Sequence, residues 1–285
     1  MSKNVKILAD STCDLSQDLI EKYDIDILPL HIVLGEEEFL DGKNITPDEI
    51  FVWSDEHNTT PKTSAASYED AQVIMKPYID NGQEIVFFCI SEDMSTTANV
   101  LRMAAEDLGA EEQVFVVNSW NLSTGIGLQV IEAAIMAQAG KSGKEIASAV
   151  EELKKKVRAS FVVDTLTYLY RGGRCSGLAA LAGGMLKLHP KIVVKEGVMG
   201  ADKKYRGKIS VAIKAYAKDL EEELLTAKKD RVFITHSGCD REIVDSVRVY
   251  LESLNHFDEI LETRAGGVIS SHCGPGTLGI LFIYE

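Results

Sequence analysis

A short apolar run that ends in hydroxyl groups is the feature of this sequence that most limits its fold. Residues 85–90, IVFFCI, carry no charge and are mainly β-branched or aromatic. Such a run predicts a strand buried on both faces, as in a parallel sheet. The next regular segment, residues 99–108, has helical spacing and good helix formers. Four hydroxyl residues lie between strand and helix: Ser91, Ser95, Thr96 and Thr97.

These hydroxyls have a functional and a purely structural interpretation. The first turn of a helix offers unpaired backbone N–H groups and the positive end of the helix dipole, which favour an anionic group. Alternatively, Ser95 or Thr96 only caps the helix. This segment alone leaves both interpretations open.

Other predicted strands end in the same way. The strands at 5–9, 114–117 and 161–163 are each followed by a polar pair: Asp10-Ser11, Asn118-Ser119 and Asp164-Thr165. Strands that alternate with helices and close in polar groups predict a parallel α/β sheet with a ligand crevice at the carboxyl edge.

The second half of the chain has a different pattern and a different charge. Its predicted strands, at 231–236, 259–264 and 278–284, favour a mixed sheet with helices. Residues 168–174 are predicted to form a turn, and residues 266–276 a glycine-rich connection. We expect two domains, 1–157 and 158–285.

The charge distribution supports a boundary near residue 155. The net charge is −14, with 9 basic and 26 acidic residues in 1–150, which gives −17, and 21 and 18 in 151–285, which gives +3. The acidic total argues against nucleic acid as a partner. Residues 154–208, with 13 basic and 3 acidic residues, are expected to face a phosphate or an acidic partner, unless they form only a solvated surface.

Several classes of protein are disfavoured. No apolar run is long enough for a transmembrane helix, and the start lacks the pattern of a signal peptide, so we expect a cytoplasmic protein. The five cysteines and six histidines form no metal-ligand cluster, and we expect no metal and no cofactor. The sequence contains neither a P-loop nor a GxSxG elbow, and Gly125-Ile126-Gly127 lacks the third glycine of a dinucleotide fingerprint.

The remaining candidates are hydroxyls and a few cations. Hydroxyls and backbone N–H groups can bind a carboxylate without a salt bridge, which suits a largely apolar ligand with one charged end. The small, apolar helices predicted at 125–139 and 178–188 either line a slot for its tail or are simply packed closely. Three further residues lie beside glycine turns and are candidates for phosphate chemistry: Arg174, Arg206 and His272.

Taken in order, the motifs resemble those of the DegV family nearly from end to end. They are Ala9-Asp10-Ser11-Thr12, Leu28-Pro29-Leu30, Thr63-Ser64-Ala65-Ala66-Ser67, Ser91 to Thr97, Thr165-Leu166 with Gly172-Gly173-Arg174, Tyr205-Arg206-Gly207, and His272-Cys273-Gly274-Pro275-Gly276. The chain departs from the family pattern twice, with Thr96 in place of a usual glycine and with Ala65-Ala66 in the TSxxS loop.

The resemblance implies a fold and a function. It implies two α/β domains, the first with a parallel sheet and the second with a mixed sheet, and a lipid tunnel between them. It also implies a long-chain fatty acid whose carboxylate is held by Thr63, Ser95 and Thr96. By the same resemblance, Arg174, Arg206 and His272 serve phosphotransfer or contact with a fatty acid kinase.

The implied partners are the ATP-binding subunit of that kinase and an acyltransferase that uses acyl phosphate in phospholipid synthesis. Two other hypotheses stay open from the sequence. One is a hydrolase or acyltransferase with Ser95 as nucleophile and His272 as base. The other, a DNA-binding regulator, is disfavoured by the acidic charge.

Overall fold

The computed structural model describes residues 5–173 and 188–285. Arg174 and residues 178–187 of the predicted second apolar helix lie outside the described residues. The strands are β1 (Val5–Asp10), β2 (Ile25–Leu28), β3 (His31–Leu34), β4 (Glu37–Leu40), β5 (Lys62–Ser64), β6 (Glu84–Cys89), β7 (Val114–Asn118), β8 (Val157–Val162), β9 (Leu188–Lys195), β10 (Val198–Arg206), β11 (Ala227–Ser237), β12 (Glu259–Arg264) and β13 (Thr277–Tyr284).

The helices alternate with these strands through most of the chain. They are α1 (Gln17–Lys22), α2 (Pro47–His57), α3 (Tyr68–Asp80), α4 (Thr97–Asp107), α5 (Thr124–Gln138), α6 (Gly143–Leu153), α7 (Thr167–Arg171), α8 (Ile209–Asp219), α9 (Glu221–Leu224), α10 (Arg241–Ser253) and α11 (Gly267–Cys273). Within the described residues, no helix is both long and apolar enough to span a bilayer.

The strands form three sheets. The first is four-stranded and parallel, in the order β2-β1-β6-β7. The second is six-stranded and mixed, in the order β10-β9-β8-β13-β11-β12. The third is a small antiparallel sheet in the order β4-β3-β5. The predicted α/β class, with a parallel sheet in the first part and a mixed sheet in the second, is therefore confirmed.

The central strand β6 shows why the first sheet is fully covered. Its side chains alternate between two cores: Val86 and Phe88 pack towards α5, while Phe87 and Cys89 pack towards α3 and α4. Helix α5 in turn packs against β8 and β13 of the six-stranded sheet, whose far face is covered by α8 and α10. The order of layers is therefore helices, parallel sheet, α5, mixed sheet, helices.

Several predicted elements differ in detail. The predicted strand 25–33 is two strands in different sheets, because Pro29 lacks the N–H that a continuous ladder needs. Part of the predicted turn 168–174 is the helix α7, and the predicted glycine-rich connection at 266–276 contains the helix α11. Strand β8 begins at Val157, next to the boundary expected between residues 157 and 158, which stays a prediction.

Candidate functional site

A small cavity lies at the carboxyl edge of the parallel sheet. Its volume is about 40 Å³. Segments that follow β2, β6 and β7 all contribute to its lining, as expected of a crevice at this edge. The lining residues are Leu30, Thr63, Ser64, Ala65, Ile90, Met94, Ser95, Leu122, Leu169, Met199, Val268, Ile269, His272 and Cys273.

Three of the residues predicted from the sequence are brought together in this cavity: Thr63, Ser95 and His272. Thr63 lies on the edge strand β5, which pairs with β3, whereas His272 lies on α11, 209 residues later in the chain. The Thr63 hydroxyl and the His272 ring are nevertheless in contact, with 2.8 Å between Oγ1 and Nε2. Both side chains are half-buried.

Ser95 lies in the turn between β6 and α4, where the sequence predicted it. Its hydroxyl oxygen is 2.9 Å from that of Thr97, which is fully buried, and it accepts a longer hydrogen bond from the Thr97 N–H, at 3.3 Å. The Thr97 hydroxyl can donate to Ser95, and the Ser95 proton is then available to a ligand in the cavity.

Thr96 takes a different position from its neighbours. It is the N-cap residue of α4, its side chain makes no capping hydrogen bond, and it is exposed and outside the cavity lining. Its backbone N–H makes no hydrogen bond within the described residues. Any contribution of Thr96 to anion binding therefore comes from the main chain, and its role stays a prediction.

The position of the His272 ring depends on close packing. A Cβ atom at Gly172, just after α7, would lie 2.2 Å from His272 Nδ1. No larger residue fits there without moving either α7 or the imidazole. Glycine at 172 therefore permits the close approach of the end of α7 to the His272 ring.

The structure places Arg206 at the same edge of the six-stranded sheet as the segment after His272. Strands β8 and β10 run in the same direction, because each is antiparallel to β9, and β13 starts where β8 ends. Arg206 is the exposed last residue of β10, and its guanidinium makes no ion pair or hydrogen bond within the described residues. Arg174, the third predicted cation, lies outside the described residues.

The basic stretch 154–208 is in part neutralised. Lys154 is buried against Glu151 and the Trp120 ring, with 2.6 Å from its Nζ to the carboxylate, and Lys191 is paired with Asp202 at 3.0 Å. Lys203 pairs with Asp219. The basic residues left exposed without an ion pair in the described part of this stretch are Lys156, Arg171, Lys195, Lys204, Arg206 and Lys208, of which Arg171 donates a hydrogen bond to the Asn58 side chain.

Three carboxylates are buried at the end of β1, in the turn that follows it and directly after β4, and none of them was predicted from the sequence as a site residue. Asp10, Asp14 and Asp41 are at most 6% exposed. Burial raises the pKa of Asp10 to about 6, and it raises the pKa of Asp14 and of Asp41 as well. Neutral donors alone solvate them: Asp10 accepts from the Ile90 N–H at 2.9 Å, and the other two accept from the start of α11.

Two other expectations concern the lining and metals. Helix α5, one of the two predicted walls for a tail, contributes nothing to the described cavity; it is buried between the two large sheets as ordinary packing. Within residues 5–173 and 188–285, no cluster of histidine, cysteine or carboxylate side chains has the arrangement of a metal site.

The sequence did not predict which apolar side chains line the cavity, because they come from seven separate segments. Met94 precedes Ser95, Met199 lies on β10, and Leu122 precedes α5. Leu30, Ala65, Met94 and Cys273 lie within motifs noted in the sequence, but nothing in those motifs indicated that these side chains line a cavity. The helix α11 was missed because Gly266 and Gly267 indicate a turn.

Comparison with known proteins agrees with this architecture. The DegV family model, described as an uncharacterised protein of the DegV family, matches residues 4–285. A DegV domain-containing protein of Clostridium acetobutylicum is 32% identical over 99% of this chain and 98% of its own length.

Solved structures are similar over the same length. A DegV family protein from Thermus thermophilus, described by its fatty acid binding, is 30% identical and covers 99% of this chain and 100% of its own, with a TM-score of 0.90. A stearic acid-binding protein from Eubacterium ventriosum is 28% identical, covers 98% of each chain and has a TM-score of 0.85. The chain belongs to the DegV family.

Proposed function

We propose that this protein binds a long-chain fatty acid, with the carboxylate at Thr63 and Ser95 and the tail among the apolar residues of the cavity. The observation that carries the proposal is the composition of the cavity lining. Hydroxyls and one imidazole from distant segments come together there, and the other lining side chains are apolar. The fatty acids bound by the relatives from Thermus thermophilus and Eubacterium ventriosum support the same class of ligand.

The polar groups suit a carboxylate held by neutral donors. No Lys or Arg lines the cavity within the described residues. When His272 donates its Nε2 proton to the Thr63 oxygen, the Thr63 hydroxyl keeps its own proton for the ligand. Ser95 is arranged similarly by Thr97, and the Thr96 N–H adds a main-chain donor. Hydrogen bonds to a charged carboxylate are stronger than those between neutral groups.

The tail needs more room than the cavity has. A volume of about 40 Å³ is far below the roughly 300 Å³ at the lower end of ordinary ligand sites. Binding therefore displaces lining side chains. Met94 and Met199 suit this role, because methionine is unbranched and adapts its shape at little cost.

The protein is proposed to present the acid to a separate kinase subunit instead of phosphorylating it. The sequence has no P-loop, in keeping with a phosphoryl donor that is bound on the separate subunit. In the proposed reaction a carboxylate oxygen attacks the γ-phosphorus of ATP on the kinase subunit, ADP leaves, and the acyl phosphate passes to an acyltransferase. Arg206 is exposed and has no ion pair with any residue of 5–173 or 188–285, so it is available to the kinase or to the developing phosphate charge. Arg174 is proposed for the same role by family resemblance.

The alternative hypothesis, a hydrolase or acyltransferase, has less support. Nucleophilic catalysis needs the serine within hydrogen-bond reach of its base. The Ser95 hydroxyl makes its hydrogen bonds to Thr97, and it makes none to His272, whose Nε2 is bonded to Thr63.

One experiment separates the two functions. The protein is purified, and one portion is denatured and extracted for lipid mass spectrometry while another is analysed as intact protein. A free fatty acid in the extract, with an unmodified protein mass, is expected. An acyl adduct on Ser95 would support the enzyme instead, and failure to bind added oleate or stearate would refute the carrier.

A further inference from the structure

The helix that carries His272 is held at its other end by buried carboxylates. The Gly267 N–H donates to Asp41 Oδ1 at 2.6 Å, and the Gly266 N–H donates to Asp14 Oδ1 at 2.8 Å. Both acids belong to the first part of the chain, whereas α11 belongs to the second. These bonds therefore fix the start of α11 against the turn after β1 and the segment after β4.

Asp41 is itself fixed by its surroundings. It follows β4 directly and is 2% exposed. Its N–H donates to the Leu30 carbonyl at 2.9 Å, and the Ser11 hydroxyl donates to its Oδ2 at 2.8 Å. Strand β3, which follows Leu30, pairs with both β4 and β5. One small sheet thus contacts α11 twice, through Asp41 at the start of the helix and through Thr63 at His272.

The contact at the start of the helix is too tight to allow sliding. A Cβ atom at Gly267 would lie 2.6 Å from Ile32 Cδ1 and 3.0 Å from Asp41 Oδ1, so only glycine lets the helix approach this closely. His272 is five positions after Gly267, which corresponds to a rise of about 7.5 Å along the helix. A displacement at Asp41 is therefore transmitted to the imidazole through little more than one turn of helix.

The charge on Asp41 is costly to the fold. Asp10, Asp14 and Asp41 have no Lys, Arg or His partner within the described residues, and burial raises the pKa of each carboxyl. Buried charge without a counter-ion is unfavourable for folding. A carboxylate that accepts hydrogen bonds from the N–H groups at a helix start nevertheless makes stronger bonds than a neutral acceptor would. We therefore infer that Asp41 serves to hold α11 in place, since its charge does not favour folding.

We propose that Asp41 is a positioning residue of the ligand site, with Asp14 as its helper: it fixes α11 so that His272 Nε2 meets Thr63 Oγ1. The Thr63 hydroxyl is thereby oriented with its proton towards the ligand carboxylate. This inference rests on the proposed fatty acid binding, but the contact between His272 and Thr63 is measurable without any lipid.

The test compares Asp41→Ala and Asp41→Asn with the wild type in protein labelled with ¹⁵N-histidine, with the His272 ring signals assigned from a His272→Gln variant. The alanine variant is expected to shift the His272 signals and to raise the Kd for oleate about tenfold. The asparagine variant keeps the side-chain shape and one hydrogen-bond acceptor. It is expected to shift the His272 signals less and to raise the Kd for oleate less than the alanine variant does. Asp10→Asn, which removes an equally buried carboxylate that makes no bond to α11, is the matched control and should leave the His272 signals in place.

The readouts separate positioning from stability. Urea unfolding of each variant identifies those that remain folded, and only these are compared. Unchanged His272 signals in folded Asp41→Ala would overturn the proposal, as would equal shifts in Asp10→Asn. If Asp41→Ala does not fold, Asp41→Asn with Asp14→Asn gives the same comparison. If wild-type protein fails to bind oleate, the proposed function fails, while the His272 signals still decide the role of Asp41.

Discussion

Removal of the Ser95 hydroxyl is expected to weaken fatty acid binding by a predictable amount. In the wild type, Ser95 lies in the cavity lining, and the buried Thr97 hydroxyl is 2.9 Å away and able to donate to it. The Ser95→Ala variant loses one hydrogen bond to a charged carboxylate and leaves Thr97 without its hydroxyl partner. Loss of such a bond costs about 1.5–3 kcal/mol, which corresponds to an increase in Kd of about 10- to 150-fold.

The assay is displacement of a fluorescent fatty acid by oleate from delipidated protein. Ser246→Ala is the matched control, because Ser246 is also a half-buried serine but lies on α10, where its hydroxyl donates to the Ile243 carbonyl at 2.7 Å. The control should bind as the wild type does. An unchanged Kd in Ser95→Ala, with urea unfolding like that of the control, would refute the assignment of Ser95.

Three further predictions follow from the exposure and charge of particular groups. Arg206→Ala should bind oleate normally, because Arg206 is exposed and outside the cavity. The variant should slow acyl phosphate formation by an added kinase subunit, measured as hydroxamate after trapping with hydroxylamine. Loss of oleate binding would instead make Arg206 a structural residue. Thr96→Ala should change the oleate Kd less than about twofold, since the variant keeps the main-chain N–H and loses only an exposed hydroxyl outside the cavity lining. A tenfold loss of oleate affinity would assign the hydroxyl to the site. The pKa of Asp10 is raised to about 6 by burial, so the folded protein binds its proton more tightly than the unfolded chain, and stability rises as pH falls. Urea unfolding should show the wild type gaining about 2–3 kcal/mol over Asp10→Asn between pH 7.5 and pH 4; a constant difference would contradict the raised pKa.

The sequence was sufficient for the elements whose local pattern and tertiary role agree. Residues 85–89 lie in a central strand of the parallel sheet because a continuous apolar run is stable only when both faces are covered. Thr63 and Ser95 were predicted as partners from family resemblance, and the structure brings both to one cavity. Their role as carboxylate ligands remains a prediction.

The remainder depended on contacts between distant segments. Gly266 and Gly267 indicate a turn when read locally, yet they start α11, because two buried carboxylates bind their N–H groups and no side chain would fit at Gly267. Asp41 gave no signal at all, since nothing near it in sequence indicates that it meets a helix 226 residues away.

Thr96 is a residue whose sequence neighbours did not determine which of its groups is available to a ligand. The family resemblance implied Thr96 as a carboxylate ligand, and that role stays a prediction. The structure exposes the side chain and leaves the main-chain N–H as the group available to an anion. Sequence alone does not determine whether the side chain or the main-chain N–H of a turn residue faces a cavity.

A crystal structure of the oleate-loaded protein tests the central claim most directly. We expect carboxylate oxygens within about 2.5–3.0 Å of Thr63 Oγ1 and Ser95 Oγ. We also expect Met94 and Met199 to have changed rotamers around a tail that follows the present cavity. Oleate bound elsewhere, or with its carboxylate paired to a lysine or arginine away from these hydroxyls, would contradict the claim.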